Sequence, residues 1–531
     1  MTRLLTILAV LVLVGVACGA PAPTGTTGGA SPAPSAAAKP TYGGTVTFVL
    51  ENDVIDFDPL KSRAFVDRNI HYQIYDSLVR IDETGKIIPW LATKWDTATD
   101  GKSVTFTLRD DVTYHDGTKF DADSVKWNIE RYIKTTGSQR AGELASVDTV
   151  EVVNATTVKF NLKTPFSPLV ANLVDRAGMM VSKKAFDAVG NPDDFTRKAF
   201  KAGTGPFMLT EAIKDDHMTL ERNAGWWGKD KDGNKLPYLD KITVKPITNS
   251  DVRFTNLRTG DAQVANNIAG KDVPTAKTES GLNYQERAAL SFRSLIPNRA
   301  AGFVFNDKRY VKAVSMAIDR KELLEKGYFN LGAVGYGTIA PAHFAYDANF
   351  KPFEKADVDG AKKLIQEVGK PLTFELLVSS GDPVTLQISQ LIQAQLKKAD
   401  IIADIQQLEF AKILELQSAH TFKGLTFVGW SGRIDPDGNT YDHIYTKRPF
   451  NDSSYSNAEV DKLLDEQRAT SDVEKRKTAL RKAEQIYVVD DPARIWLGFG
   501  AAQLLTSKKV NAPPIYPDQI IRFQFMNMAA K

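Results

Sequence analysis

A single cysteine in 531 residues, Cys18, rules out an internal disulfide, so the fold must be held by buried apolar surface. The residues available for this, roughly 490 of them beyond a low-complexity stretch, exceed what one ordinary core organises, and two or three lobes are expected. Strand-like and helical runs intermix along the whole length, which predicts an α/β class. The balance of 43% hydrophobic and 25% charged residues is that of a globular protein. A net charge of +3 without a dense Lys/Arg block argues against a nucleic-acid partner.

The first residues read as an export signal. Arg3 precedes an apolar run over 4–17 that stops at Cys18. The run is shorter than the ~20 apolar residues a membrane-spanning helix needs. Gly15-Val16-Ala17-Cys18 resembles a bacterial lipoprotein cleavage site, with Gly15 where Leu is usual and Leu13 two places upstream. The expectation is a signal peptide over 1–18, lipidation of Cys18, and a membrane anchor without a spanning helix. Residues 19–40 (GAPAPTGTTGGASPAPSAAAKP) contain no large apolar side chain and read as a flexible tether.

Beyond the tether, 45–50 is a first strand and 66–79 a helix. Residues 103–108 alternate like a strand between the turn signals Asp100-Gly101 and Asp116-Gly117. Residues 122–132 follow candidate caps at Asp121 and Asp123, and 150–153 with 157–162 form a hairpin. Short strands are expected at 218–221 and 241–247, a helix at 311–326, a strand at 372–378, a helix at 384–399 and a strand at 401–408. Two charged amphipathic helices fill 458–487.

Seven blocks in order carry a family resemblance. They are Leu78-Val79 with Pro89-Trp90-Leu91-Ala92-Thr93-Lys94-Trp95; Phe106-Thr107-Leu108-Arg109 with Tyr114-His115-Asp116-Gly117-Thr118 and Asp123-Ser124-Val125; Gly203-Thr204-Gly205-Pro206-Phe207 with Leu220-Glu221-Arg222-Asn223 and Trp226-Trp227; Tyr238-Leu239-Asp240; VSMAIDR over 314–320 with Pro341; Asp435-Pro436; and Tyr455-Ser456-Asn457 with Asp461. Together they resemble the family 5 bacterial extracellular solute-binding proteins, the dipeptide and oligopeptide receptors of ABC importers. The resemblance implies a two-lobed, type II periplasmic-binding-protein-like fold, with an extra domain inserted in the first lobe and the ligand cleft at the hinge. The expected division is 41–75, 195–290 and 490–531 for lobe I, 76–194 for the inserted domain and 291–489 for lobe II. Most block residues read as scaffold: His115 as a hydrogen-bonded structural histidine, Gly203 and Gly205 as backbone freedom beside Pro206, Trp226 and Trp227 as packing, and Asp319-Arg320 as an ion pair.

The candidate ligand-binding residues are Trp430, Ser431, Gly432, Arg433 and Asp435, with Asn52 a weaker candidate after the first strand. In peptide-binding relatives the loop after this Trp commonly carries an Asp three residues on, which pairs with the peptide ammonium. Here that position is Arg433, so the charge is reversed. A guanidinium suits a carboxylate, phosphate or polyol. Alternatively, Arg433 pairs with Asp435 or Asp437 and braces the loop. The expected function is capture of a peptide or related small solute for an ABC permease and its ATPase subunits. The alternative cargoes are a sugar, an opine-like or other anionic metabolite, or a metal chelate.

A secreted hydrolase is the other class, but Gly429-Trp430-Ser431-Gly432 lacks the Gly that a nucleophile elbow needs two residues after Ser, and no catalytic motif stands out. No enzyme activity, cofactor or metal site is expected. The histidines never fall at i, i+4, and the calcium-loop-like Asp230, Asp232 and Asn234 have Lys235 where Gly is required. The protein is expected to be a monomer, anchored in the periplasm or on the outer cell face.

Overall fold

The computed structural model describes residues 40–530. The signal peptide, Cys18 and nearly all of the expected tether lie outside the described residues. Among the described residues no helix is long and apolar enough to cross a membrane.

The chain is α/β and two-lobed, and its lobes share one eleven-stranded sheet. In lobe I, Thr45–Leu50 pairs in parallel with Lys241–Pro246 on one side and Val264–Ala265 on the other. The antiparallel strands His217–Arg222 and Phe207–Ile213 complete that side. In lobe II, Thr373–Ser379 lies in parallel between Ile402–Leu408 and Leu425–Trp430. Strands buried on both faces read as continuous apolar runs, as Thr45–Leu50 does after its first residues.

Two long antiparallel strands, Leu282–Pro297 and Ile495–Ser507, cross from one lobe to the other. Their ladder runs from Leu282–Ala288 against Ala501–Ser507, breaks, and resumes with Phe292 opposite Phe499. Ala289, Leu290 and Ser291 face only Gly500 across this break, so the pair bulges where it passes between lobes. Beyond the break Ile495, Trp496 and Gly498 pair with Leu295, Ser294 and Arg293.

The inserted segment has its own sheet, in the order Ala92–Thr97, Ser103–Leu108, Thr157–Leu162, Val147–Asn154. Helix Ala122–Lys134 packs on it, capped by Asp121 accepting from the Ser124 N–H. Phe106, Ile129 and Phe160 are among the fully buried residues of this separate core.

Local chemistry explains several departures from expectation. The first helix is Phe65–Ile74 and does not reach 79, because Tyr75 is extended and Val79–Ile81 is a strand. The helix expected over 311–326 stops at Ala317, where Ile318 turns extended and Asp319 caps a new short helix. Asp319 and Arg320 are not an ion pair. Arg320 is buried and donates to the carbonyls of Trp496, Ser315 and Ile318, tying the helix to the crossing strand. Gly203 and Gly205 are not at positive φ. They are needed for close approach, since a Cβ would lie 1.5 Å from the Ile74 carbonyl oxygen and 2.6 Å from that of Gln73. His115 accepts its structural role through the Gly205 carbonyl at 2.9 Å. Trp226 and Trp227, together with Trp90, donate their indole N–H groups to one buried carboxylate, Asp76. The Asp230 loop is a turn in which the carboxylate accepts from Asn234 and Tyr238.

Candidate functional site

Parallel strands end at a common edge in each lobe, and in open α/β sheets ligands bind outside the carboxyl ends of the strands. Here the two edges face one another. Glu51 and Asn52 follow Thr45–Leu50, Thr248 follows Lys241–Pro246, and Asn267 lies just beyond Val264–Ala265. From lobe II come Ser379 at the end of its strand, Asp382 capping the helix Pro383–Lys398, and Phe427–Ser431. Together they enclose a cavity of 390 Å³. An adjoining cavity of 530 Å³ shares Asn52, Thr248 and Phe410 with it. The crossing strands contribute Arg293, Ala501 and Gln503 to the cavity wall.

Of the sequence candidates, Asn52, Trp430 and Ser431 line this cavity, and Gly432, Arg433 and Asp435 do not. Gly432 has φ +81°, and a Cβ there would lie 2.4 Å from the Leu290 backbone, so only glycine fits. Arg433 turns behind Trp430. Its guanidinium lies 4.4 Å from the Trp430 ring centroid, and its Nε is 3.6 Å from Asp175. Burial lowers the Arg433 guanidinium to about 10, with Asp175 opposing that shift. The pairing of Arg433 with Asp435 or Asp437 is not found. Asp435 accepts a bidentate pair from Arg476, and Asp437 one from Arg468.

The loop is clamped rather than free. Asn439 accepts from the Trp430 indole and the Arg433 backbone N–H, and donates to the carbonyls of Leu290 and Thr338. Lobe I holds its tip: Arg68 donates to the Ser431 hydroxyl at 2.8 Å, and Gln519 donates to the Ser431 carbonyl at 2.5 Å. Asp175, buried among Arg68, Arg176 and Arg433, joins the inserted domain to this junction. Burial alone would raise its carboxyl, but Arg433, Arg68 and Arg176 together hold it well below the usual range. Arg63 also crosses between lobes, to Asp452 at 2.6 Å.

Sequence reasoning missed Glu51, Arg253, Arg293, Tyr328 and Asp382. Burial raises the Glu51 carboxyl, with Arg253 opposing. Arg253 donates to the carbonyls of Ile247, Thr248 and Asn267 at 2.6–2.7 Å. No motif marks these residues. For Glu51 and Asp382 the signal was position, just past the ends of strands; Arg253 on a helix, Arg293 inside a strand and Tyr328 at a helix end carry none.

The profile of the bacterial extracellular solute-binding proteins, family 5, matches residues 86–452. The glutathione-binding protein GsiB of Pectobacterium atrosepticum is 26% identical over 481 residues, 88% of this chain and 91% of that one. GsiB of Escherichia coli K12 is 25% identical over 493 residues, covering 90% and 93%. Among solved structures, the Helicobacter pylori periplasmic binding protein DppA in complex with the peptide STSA superposes with a TM-score of 0.84 at 24% identity, covering 92% of this chain and 98% of that one. The agropinic acid complex of AgaA from A. tumefaciens gives 0.83 at 21%, covering 92% and 99%.

Proposed function

Because the chain belongs to the family 5 bacterial extracellular solute-binding proteins, we propose that it is the receptor of an ABC importer for a short peptide or glutathione-like solute. The observation that carries this reading is the 390 Å³ cavity walled by both lobes, which are joined by two continuous strands bulged at their crossing. That volume lies in the usual small-ligand range of roughly 300–1,000 Å³. Two relatives named for glutathione and a structural neighbour holding a four-residue peptide support cargo of this size.

The mechanism is a hinge equilibrium. A solute touches both walls only in the closed form, so binding shifts the population towards closure. The closed form is what a membrane permease would recognise, and ATP is hydrolysed by the partner's ATPase subunits. The protein itself acts by binding and release, as a monomer, with Cys18 the proposed lipid attachment that holds it at the membrane outside the cytoplasm.

Mass spectrometry of solute released on denaturing freshly purified protein (residues 40–531) tests the reading. Short peptides or glutathione are expected. A sugar or a metal chelate as the sole cargo would replace the peptide reading with a non-peptide receptor.

A further inference from the structure

Among the described residues, one cation lining the cavity has neither a carboxylate partner nor a short hydrogen bond. Arg63 is held by Asp452. Arg253 donates to three carbonyls and faces Glu51. Asp382 caps its helix by accepting from Thr385 and also receives the Ser250 N–H. Arg293 is different. Its only hydrogen bonds among the described residues are two long ones from Nη1, 3.4 Å to the carbonyls of Leu331 and Phe499. Among the described residues its Nε and Nη2 make no hydrogen bond, and burial lowers the guanidinium, with Tyr328 opposing.

The guanidinium is nonetheless held in place. It stacks 4.0 Å from the centroid of the Tyr328 ring, whose hydroxyl is buried without a partner. Gly332 and Gly500 flank the guanidinium, and Cβ atoms there would lie 3.2 and 3.7 Å from its Nη1 and Nη2. A partly buried, oriented cation without a counter-charge is a poor way to stabilise a fold, because two long hydrogen bonds and a ring contact offset only part of the cost of desolvating it. It is a good way to recognise a planar anion, whose two oxygens match the Nε/Nη2 edge of a guanidinium.

We infer that Arg293 is the anchor for a carboxylate of the transported solute, taking the role that Arg433 cannot fill from behind Trp430. The inference rests on the receptor reading above and specifies its substrate class as a carboxylate-bearing solute. Arg293 stands on a crossing strand, between the break before Phe292 and a second register shift before Ser294. A carboxylate bound there would sit beside the hinge, where its contacts bear on the lobe angle.

The test uses calorimetry with glutathione and with the peptide Ser-Thr-Ser-Ala, each as the free acid and as the C-terminal amide. The wild type is compared with Arg293→Gln and Arg293→Lys. The expected result is that amidation weakens binding to the wild type by about tenfold or more. Arg293→Gln should bind acid and amide alike, and Arg293→Lys should recover part of the difference. Acid and amide of Ser-Thr-Ser-Ala, whose sole carboxylate is the C-terminal one, binding equally to the wild type would overturn the anchor and leave the receptor reading intact. Failure of all four probes to bind the wild type would sink the peptide-receptor reading and the anchor with it. The amide comparison needs no variant, so misfolding of Arg293→Gln cannot mask the outcome.

Discussion

Replacing Asp175 with Asn should be among the most damaging single-atom-scale changes in this protein. Asp175 is 2% exposed and lies 2.5 Å from the Arg68 Nη2, with Arg176 and Arg433 also within 4 Å. The amide is nearly isosteric and can still accept from the Arg176 N–H, as Asp175 does at 2.7 Å. The change therefore removes the charge and sets an amide NH2 against the Arg68 and Arg433 guanidinium groups that now face Oδ2. Three buried guanidinium groups would lose a shared counter-ion, and breaking a buried pair costs about 3–5 kcal/mol. Urea unfolding at neutral pH should show the lower midpoint at unchanged slope. The pH dependence supplies a second check. The folded carboxyl lies well below its ordinary range, so its stabilisation is complete above the unfolded value near 4 and is lost as pH falls towards the folded one. The gap between wild type and variant should narrow in acid. A loss under about 1 kcal/mol at neutral pH, or a gap that widens in acid, would refute the assignment of Asp175 as the counter-ion of this junction.

Three further outcomes follow from buried groups elsewhere in the fold. Glu484 is buried with its carboxyl raised to about 8 by desolvation, so the folded state keeps a proton that the unfolded chain releases. Stability should fall by roughly 1–3 kcal/mol between about pH 5 and 8 on this account, and Glu484→Gln should flatten that decline in thermal melts. Asp76 accepts three indole N–H groups, so Asp76→Ala should cost about 3 kcal/mol or more and red-shift tryptophan emission at a lower denaturant midpoint. A Cβ at Gly498 would lie 2.6 Å from the Ala333 carbonyl oxygen, so Gly498→Ala should destabilise the crossing strand by about 1–3 kcal/mol, read as a drop in unfolding midpoint.

Much of the fold was legible because local signals agreed with tertiary demands. The strands Thr45–Leu50 and Ser103–Leu108 fall where their β-rich runs predict, and Asp121 caps its helix as its position suggests. The two crossing strands escaped notice. Ile495–Ser507 is buried on both faces and carries Gly498 and Gly500, so it shows no alternation. Leu282–Pro297 places Gln285, Glu286 and Arg287 in its lobe I half and mixes Ser291, Arg293 and Ser294 with Phe292, Leu295 and Ile296 in its lobe II half, so no single period describes it. The site was legible only in part. The Trp430 loop was found by resemblance, yet the direction in which Arg433 turns depends on Asp175, 258 positions away in sequence. Arg293 carries no motif, and its lack of a partner is a property of the folded structure alone.

Hydrogen–deuterium exchange on residues 40–531, with and without the solute recovered from the purified protein, tests the central claim most directly. Binding between the lobes predicts slowed exchange on both walls together, around Glu51–Asn52 and Asn267–Gly270 in lobe I and around Ser379–Thr385 and Phe427–Ser431 in lobe II. Slowed exchange confined to one lobe, or found only away from the cavity, would contradict it.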